Sequence, residues 1–311
     1  MPLFLKPVLK DKVWGGKKLT TFGYDLPSDT VGEAWTISAH QSGQCEITTG
    51  RFSGCTLDEV WDSHRELFGD FPSHEFPLMT KLIDAQGPLS IHVHPDDAYA
   101  YENEDGQYGK SECWYIVEAE PGAEIIYGFK DEEASDNLTR LQEQDYDGLF
   151  NKVEVQAGDF YYVPAGMVHS IGAGVLVYET MQSSDVSYRI YDYGREYEKN
   201  HRGLNKTQAL EVLETPDIEN VSTTDVEYRE NHKRTQLVSN DFFTMVKWEI
   251  SGTLNYMKPR EFVLVSVIEG KGEVITDGDI FAIEKGSNFI LTSHDLDTVF
   301  EGDFELIISY L

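Results

Sequence analysis

The sequence predicts a mainly β protein built of two barrel-like or sandwich-like units, with a few short helices. Three observations carry that reading. Residues 152–195 run as strand after strand, KVEVQAGDFYYVPAGMVHSIGAGVLVYETMQSSDVSYRIYDYGR, in short units punctuated by Gly and Pro. A second β-rich block begins near Val226 and continues to Leu311. Helical periodicity is confined to short stretches at 56–69, 131–151 and 205–213.

Composition sets the outer limits. With 311 residues, 40% hydrophobic and 12% aromatic, the chain can bury a large core in one or two domains. The formal net charge is -30, from 55 acidic against 25 basic residues. That excludes the basic footprint of a nucleic-acid binder and argues against an anionic membrane surface. An anionic substrate would have to be met by locally gathered Lys and Arg. Cys45, Cys55 and Cys113 form no CxxC pair, and the opening MPLFLKPVLKDKVW has no signal-peptide pattern. No apolar run approaches the roughly 18 residues of a membrane span. The expectation is a cytoplasmic protein with reduced thiols.

Taken in order, PLFLKPVLKDKVWGGKKL is broken by Pro2, Pro7 and Gly15-Gly16, which predicts extended chain wrapping the core with a turn after Trp14. GEAWTISAH (32–40) alternates as a strand and puts Glu33 on the face of Trp35 and Ile37. A carboxylate there is either a surface group at a strand end or an unusual member of a core. CEITTGRFSG (45–54) reads as strand and turn. TLDEVWDSHRELFG (56–69) predicts one helix, opened by a Thr56/Glu59 capping box and closed by Gly69, with His64 packed on its apolar face.

Residues 76–97 read as two strands joined at Ala85-Gln86-Gly87-Pro88. Lys81 sits among Leu78, Met79, Leu82 and Ile83, so it either snorkels outward or points into a site. The histidines on the next strand favour the site. Residues 98–109 read as an acidic, aromatic loop. Residues 109–128 give two strands joined at Glu120-Pro121-Gly122, with Lys110 and Glu112 sharing a face. A short helix at 205–213 lies in a polar linker, which divides the chain into domains 1–225 and 226–311. Strands in the second are expected at 242–250, 261–270, 271–278, 287–293 and 304–311.

The chemistry gathers at PLSIHVHPDD (88–97). His92 and His94 share one side of a strand while Ile91 and Val93 take the other. Two imidazoles a pleat apart can converge on a metal, and alone they can equally be surface histidines near a strand end. The second half is GDFYYVPAGMVHSIG (158–172), where Pro164 and Gly166 set a tight turn and His169 starts the returning strand. With Glu112 the set is three imidazoles and one carboxylate, which suits a divalent transition metal with positions left open for substrate.

HxH followed by Glu, then G-x5-PxGxxH in that order, resembles the cupin double-stranded β-helix. PLSIHVHPDD, GKSECWY, PAGMVHSI and QSSDVSYRIYD narrow the likeness to the type I mannose-6-phosphate isomerases of the bacterial class with chains near this length. The opening PLFLKPVLKDKVWGG and GEAWTISAH are also similar to that family. The resemblance implies two cupin-type β barrels and a zinc-dependent aldose–ketose isomerase, one Zn²⁺ per chain, interconverting mannose 6-phosphate and fructose 6-phosphate. It implies His92, His94, Glu112 and His169 as metal ligands; the first of these is often Gln in the family, so His92 is a variant. It also implies Lys81 and Lys110 near the substrate, Arg189 as the active-site arginine and Glu179 as the carboxylate ten residues before it. Trp14 and Arg195 are further substrate-binding candidates, Arg195 being equally a solvated loop residue.

Arg189 and Lys110 are also cations an acidic protein would use to hold a phosphate or an enediolate. The proton-carrying base stays open among a lysine, Glu179, a histidine or a metal-bound water. The partner is a small sugar phosphate, with no nucleic acid and no membrane, and the chain is expected as a monomer or weak homodimer. The alternatives are an Fe or Mn cupin oxygenase or decarboxylase, which would not need several cations, and a non-catalytic sugar-binding cupin. In the second block no HxH occurs and Leu291-Thr292-Ser293-His294 stands where PxGxxH would be, so it reads as a metal-free companion with His294 structural.

Overall fold

The computed structural model describes residues 1–130, 134–195, 203–214 and 225–311. The first residues of the helical stretch expected at 131–151, and much of the linker before 225, lie outside the described residues. The first part of the chain carries β1 (Leu3–Lys6), β2 (Val8–Gly16), β3 (Val31–Ile37), β4 (Glu46–Ile47), β5 (Leu78–Ala85), β6 (Ile91–Val93) and β7 (Glu112–Ala119). It continues through β8 (Glu124–Phe129), β9 (Phe150–Glu154), β10 (Phe160–Val163), β11 (His169–Ile171), β12 (Val175–Gln182) and β13 (Tyr188–Tyr191). The helices are α1 (Leu57–Ser63), α2 (Asp97–Asn103), α3 (Ala134–Glu143) and α4 (Lys206–Val212). The last part holds β14 (Asp225–Tyr228), β15 (His232–Ser239), β16 (Thr244–Tyr256), β17 (Val263–Thr276), β18 (Asp279–Glu284), β19 (Asn288–Leu291) and β20 (Thr298–Tyr310).

These strands form three antiparallel sheets. The middle one has the order β10-β7-β12-β5-β3-β2, and a smaller one the order β13-β6-β11-β8-β9. The third runs β14-β15-β16-β20-β17-β19-β1-β4, with β18 paired to β17. Side-chain alternation sorts the middle sheet into two faces. Ile83, Trp114, Ile116 and Val177 pack with Ile125 and Ile171 of the smaller sheet. Leu82, Cys113, Tyr115 and Tyr178 turn the other way and pack with Phe243, Met245, Leu264 and Ile307 of the C-terminal block. Across that second contact Tyr178 donates to Ser266 Oγ at 3.0 Å, and the hydroxyls of Thr180 and Ser309 meet at 2.8 Å. The mainly β class is as expected, and the site described below lies between the middle and smaller sheets.

Several elements differ from the sequence reading. Residues 3–16 are not merely wrapped chain. β1 pairs with β19 and β2 with β3, Pro7 falling between them, where its missing N–H interrupts no ladder. The first strand thereby belongs to the sheet of the C-terminal block. The helix expected over 56–69 stops at Ser63 and resumes as a 3₁₀ turn, Arg65–Phe68. His64 leaves helical geometry there, and Arg65 is drawn over the Trp61 ring and onto the carbonyl of His74. The Thr56/Glu59 cap forms as read, with Thr56 N–H donating to Glu59 at 2.9 Å, and Gly69 closes the turn at φ 66. His64 itself is half-exposed, beside Phe52 and Glu66. The segment expected as loop from residue 98 instead continues α2, whose start is capped by the Asp96 carboxylate accepting from Tyr99 N–H at 2.8 Å.

In the C-terminal block, 261–270 and 271–278 are one strand. Gly270, at φ 79, lets β17 pass where a Cβ would stand 2.3 Å from the Asp303 carbonyl oxygen, and the irregularity in its pairing with β20 lies just before it, between Val267 and Glu269. His294 is exposed. Its neighbour Asp295 is buried and organises the turn, accepting from Thr292 N–H at 2.7 Å and Thr276 Oγ1 at 3.2 Å.

Candidate metal centre and active site

Strand register builds the site. β6 lies between β11 and β13, and His169 and Arg189 are both in register with His92. Residues in register on antiparallel neighbours share a face, so His169, His92 and Arg189 form a row across the smaller sheet. His94, two residues past His92, turns to the same side. The three imidazoles offer ligand nitrogens all within 4.8 Å of one another.

Each ring is oriented by its back nitrogen. Nδ1 of His92 meets the Ser90 carbonyl at 2.7 Å, that of His94 the Val186 carbonyl at 2.7 Å, and that of His169 the Met167 carbonyl at 2.8 Å. A carbonyl only accepts, so Nδ1 carries the proton and Nε2 presents a lone pair. Burial lowers the imidazoles' basicity further: His94 and His169 are each pushed down to about 3, and His92 well below its usual value. All three are therefore neutral at physiological pH. His169 Nε2 is buried and, among the described residues, has no hydrogen-bond partner.

Glu112, the first residue of β7 on the facing sheet, closes the cluster. Its Oε1 lies 3.4 Å from His169 Nε2 and its Oε2 lies 3.4 Å from His94 Nε2. Burial would raise this carboxyl, but Lys110 and then His94 hold it well below the usual carboxylate range. The Lys110 ammonium is 2.6 Å from Glu112 Oε2 and 3.2 Å from His94 Nε2. Three outward lone pairs, one carboxylate and an orphaned buried Nε2 fit a divalent metal ion. Among the described residues no other grouping of three such side chains comes together.

The turn chemistry holding this cluster is local. Gly166, at φ 84, donates its N–H to the His94 carbonyl at 2.8 Å and ties the PAG turn to the histidine strand. Gly109 lies so close to the start of α2 that a Cβ would stand 2.3 Å from the Asp96 carbonyl carbon and 2.4 Å from Asp97 N. Gly109→Ala is expected to lower stability by more than about 2 kcal/mol, since backbone would have to move. Denaturant unfolding checks this, and a change within about 0.5 kcal/mol would contradict the packing argument.

Beside the imidazoles the middle sheet presents a second set of charges. Lys81 is in register with Trp35 on one side and Glu179 on the other. Its ammonium is 4.0 Å from Glu33, 4.0 Å from Glu179 and 3.9 Å from Asp185. Glu179 is 3% exposed; its Oε1 accepts from Trp114 Nε1 at 3.3 Å, and its Oε2 is buried with no hydrogen-bond partner among the described residues. Burial, with the nearby Glu112 carboxylate, pushes the Glu179 carboxyl up to about 7 against the pull of Lys110 and Lys81. A cleft of about 380 Å³ opens beside this set, lined by Arg189, Asp185, His40, Gln107 and Glu104.

The structure brings His92, His94, His169, Glu112, Lys110, Glu179, Lys81 and Arg189 into this one region. It places two further candidates differently. Trp14 is buried in the apolar cluster with Ile83, Leu89 and Trp114. The Arg195 guanidinium is engaged by Asp192 and by the Pro88 carbonyl, the latter at 2.8 Å, which makes it a clasp between loops. The sequence reading missed Asp185, which follows β12 with no periodic signal, and Lys12, whose ammonium meets Glu33 Oε1 at 2.8 Å.

Comparison with known proteins bears on the same residues. A model for the phosphomannose isomerase type I catalytic domain matches residues 3–122, and one for the mannose-6-phosphate isomerase cupin domain matches residues 233–311. The chain is 42% identical over its full length to mannose-6-phosphate isomerase ManA of Bacillus subtilis, covering 99% of that protein. The chain belongs to the type I phosphomannose isomerase family. A mannose-6-phosphate isomerase of Streptococcus mutans is likewise 42% identical, over 99% of this chain and 98% of its own. The crystal structure of the Bacillus subtilis mannose 6-phosphate isomerase superposes with a TM-score of 0.96 at 40% identity, over 100% of this chain and 99% of that one. Within this phosphomannose isomerase chain, the catalytic-domain match includes Lys81, His92, His94, Lys110 and Glu112. His169, Glu179 and Arg189 lie beyond it, and the sheet register joins them to the rest.

Proposed function

We propose that this protein interconverts D-mannose 6-phosphate and D-fructose 6-phosphate through a cis-enediol. The observation that carries the proposal is the row His169–His92–Arg189 facing Glu112, Lys110, Glu179 and Lys81 across the two sheets. Its support is the family and a site whose chemistry matches. His92, His94, His169 and Glu112 would hold one divalent ion, and three neutral imidazoles with one carboxylate suit Zn²⁺. When bound, such an ion supplies Lewis acidity toward the sugar carbonyl and hydroxyl oxygens.

The protein's own groups do the rest. Moving a proton between adjacent carbons develops negative charge on oxygen, and Arg189 on the row beside His92 is the cation that answers it. Glu179, dry and with Oε2 unpartnered among the described residues, is assigned the carbon-bound proton, which it takes from one carbon and returns to the next. The hydroxyl proton passes from O2 to O1 through the neighbouring lysine ammonium, which donates one proton to O1 as it recovers one from O2. Lys81 and Lys110 flank that carboxylate at 4.0 and 3.9 Å and supply donors to the substrate oxygens. A sugar phosphate entering a chain of net charge -30 needs this local concentration of cations. We also infer a catalytic unit over 1–225 and a metal-free unit over 226–311, with β1 lent to the second, in a cytoplasmic protein. Among the described residues no helix is long and apolar enough to cross a membrane.

The test is a coupled assay of the metal-loaded protein on mannose 6-phosphate. Fructose 6-phosphate should accumulate, and the reverse reaction should run from fructose 6-phosphate. No turnover by fully loaded protein would sink the proposal and return the site to oxygen-dependent cupin chemistry.

A further inference from the structure

We propose that Trp35, locked by Glu33, is a positioning residue that keeps the donors of Lys81 open for substrate. Lys81 is 3% exposed, yet among the described residues no hydrogen bond reaches its ammonium. Three carboxylates surround it, each about 4 Å away and each a strong acceptor if it came closer. A buried ammonium ordinarily collapses onto such a partner, because unmade hydrogen bonds in a dry interior are costly. Something holds it off.

On the Glu33 side that is Trp35. Its indole N–H donates to Glu33 Oε2 at 2.7 Å, and the other Glu33 oxygen pairs with Lys12 at 2.8 Å. Both Glu33 oxygens are thus engaged, and the indole N–H anchors the one that faces Lys81. Burial opposes the charge on Glu33, but Lys12 and then Lys81 outweigh it and keep this group an anion. The ring itself forms a wall, with the Lys81 ammonium over its face at 4.5 Å from the centroid. Trp35 cannot give way. It is 1% exposed, packed with Met79 and Met181, and backed by Gly43, where a Cβ would stand 2.7 Å from its Cε3. The ammonium is left between this wall and the carboxylates of Glu179 and Asp185, the latter lining the cleft.

The inference rests on the isomerase reading, and three variants with two readouts separate them. Trp35→Phe keeps an aromatic wall but frees Glu33 to capture Lys81. It should lower kcat/KM for mannose 6-phosphate roughly ten- to hundredfold, the loss of one charged hydrogen bond to substrate, with KM rising. Glu33→Met in that background removes the captor and should restore most of the loss, whereas a purely structural defect would deepen. Glu33→Met alone should cost less than Trp35→Phe. A Trp35→Phe protein within twofold of the parent, or a double variant no better than Trp35→Phe, overturns the proposal. Should the parent itself fail to isomerise mannose 6-phosphate, the functional reading fails, and the crystal structure of Trp35→Phe then decides the positioning claim. The Lys81–Glu33 separation should shorten from 4.0 Å to about 2.8 Å. An unchanged separation overturns it.

Discussion

His169→Ala yields a folded protein that no longer retains a stoichiometric metal ion and whose kcat/KM on mannose 6-phosphate falls on the order of a thousandfold, the several kcal/mol that a Lewis acid contributes to an enolisation. The reason is geometric. His169 Nε2 is buried without a partner and lies within reach of His92, His94 and Glu112, so its removal opens the centre from inside. His92→Gln makes the contrast. His92 is the half-exposed member of the trio, and an amide oxygen at that position is still a neutral donor. It should keep the metal and stay within about tenfold of the parent. Metal content by mass spectrometry and the coupled assay read both variants. A His169→Ala protein that keeps metal and rate, or a His92→Gln protein as impaired as His169→Ala, would show that the centre is not built as described.

Glu179→Gln is the second large effect. The exchange preserves shape, and the amide oxygen can still accept from Trp114 Nε1, so fold and metal content should persist. What disappears is a group able to take and return a proton at neutral pH. The expected loss is roughly 10²- to 10⁴-fold in kcat with little change in KM, the range for a positioned acid–base group. Exchange of the substrate C–H with solvent deuterium, followed by NMR, should fall in parallel. A variant retaining a third of the parental kcat would move the proton to Lys110 or another carrier.

Much of this site was legible because β alternation is a strict rule. His92 with His94, and Lys110 with Glu112, were assigned common faces from parity alone, and each pair does share one. The PAG turn before His169 was readable from the conformations that Pro and Gly permit. What parity cannot supply is the register between strands distant in sequence. Nothing local says that Arg189 stands beside His92, or that Glu179 and Trp35 flank Lys81. Glu33 shows the limit well: its place on the Trp35 face was visible and anomalous, but its burial required the indole and the Lys12 ammonium, one of them on another strand. The helix read across 56–69 failed for a related reason. Its apolar spacing was satisfied by two shorter turns once Arg65 found carbonyl partners beyond Gly69.

The central claim is that a single bound metal at His92, His94, Glu112 and His169 is required for sugar-phosphate isomerisation. The most direct measurement strips the protein with a chelator, restores Zn²⁺ in steps, and records bound metal and isomerase rate on the same samples. The account predicts a rate that vanishes with the metal and rises in proportion to it, levelling at about one ion per chain. Full activity in protein shown to be metal-free would contradict it.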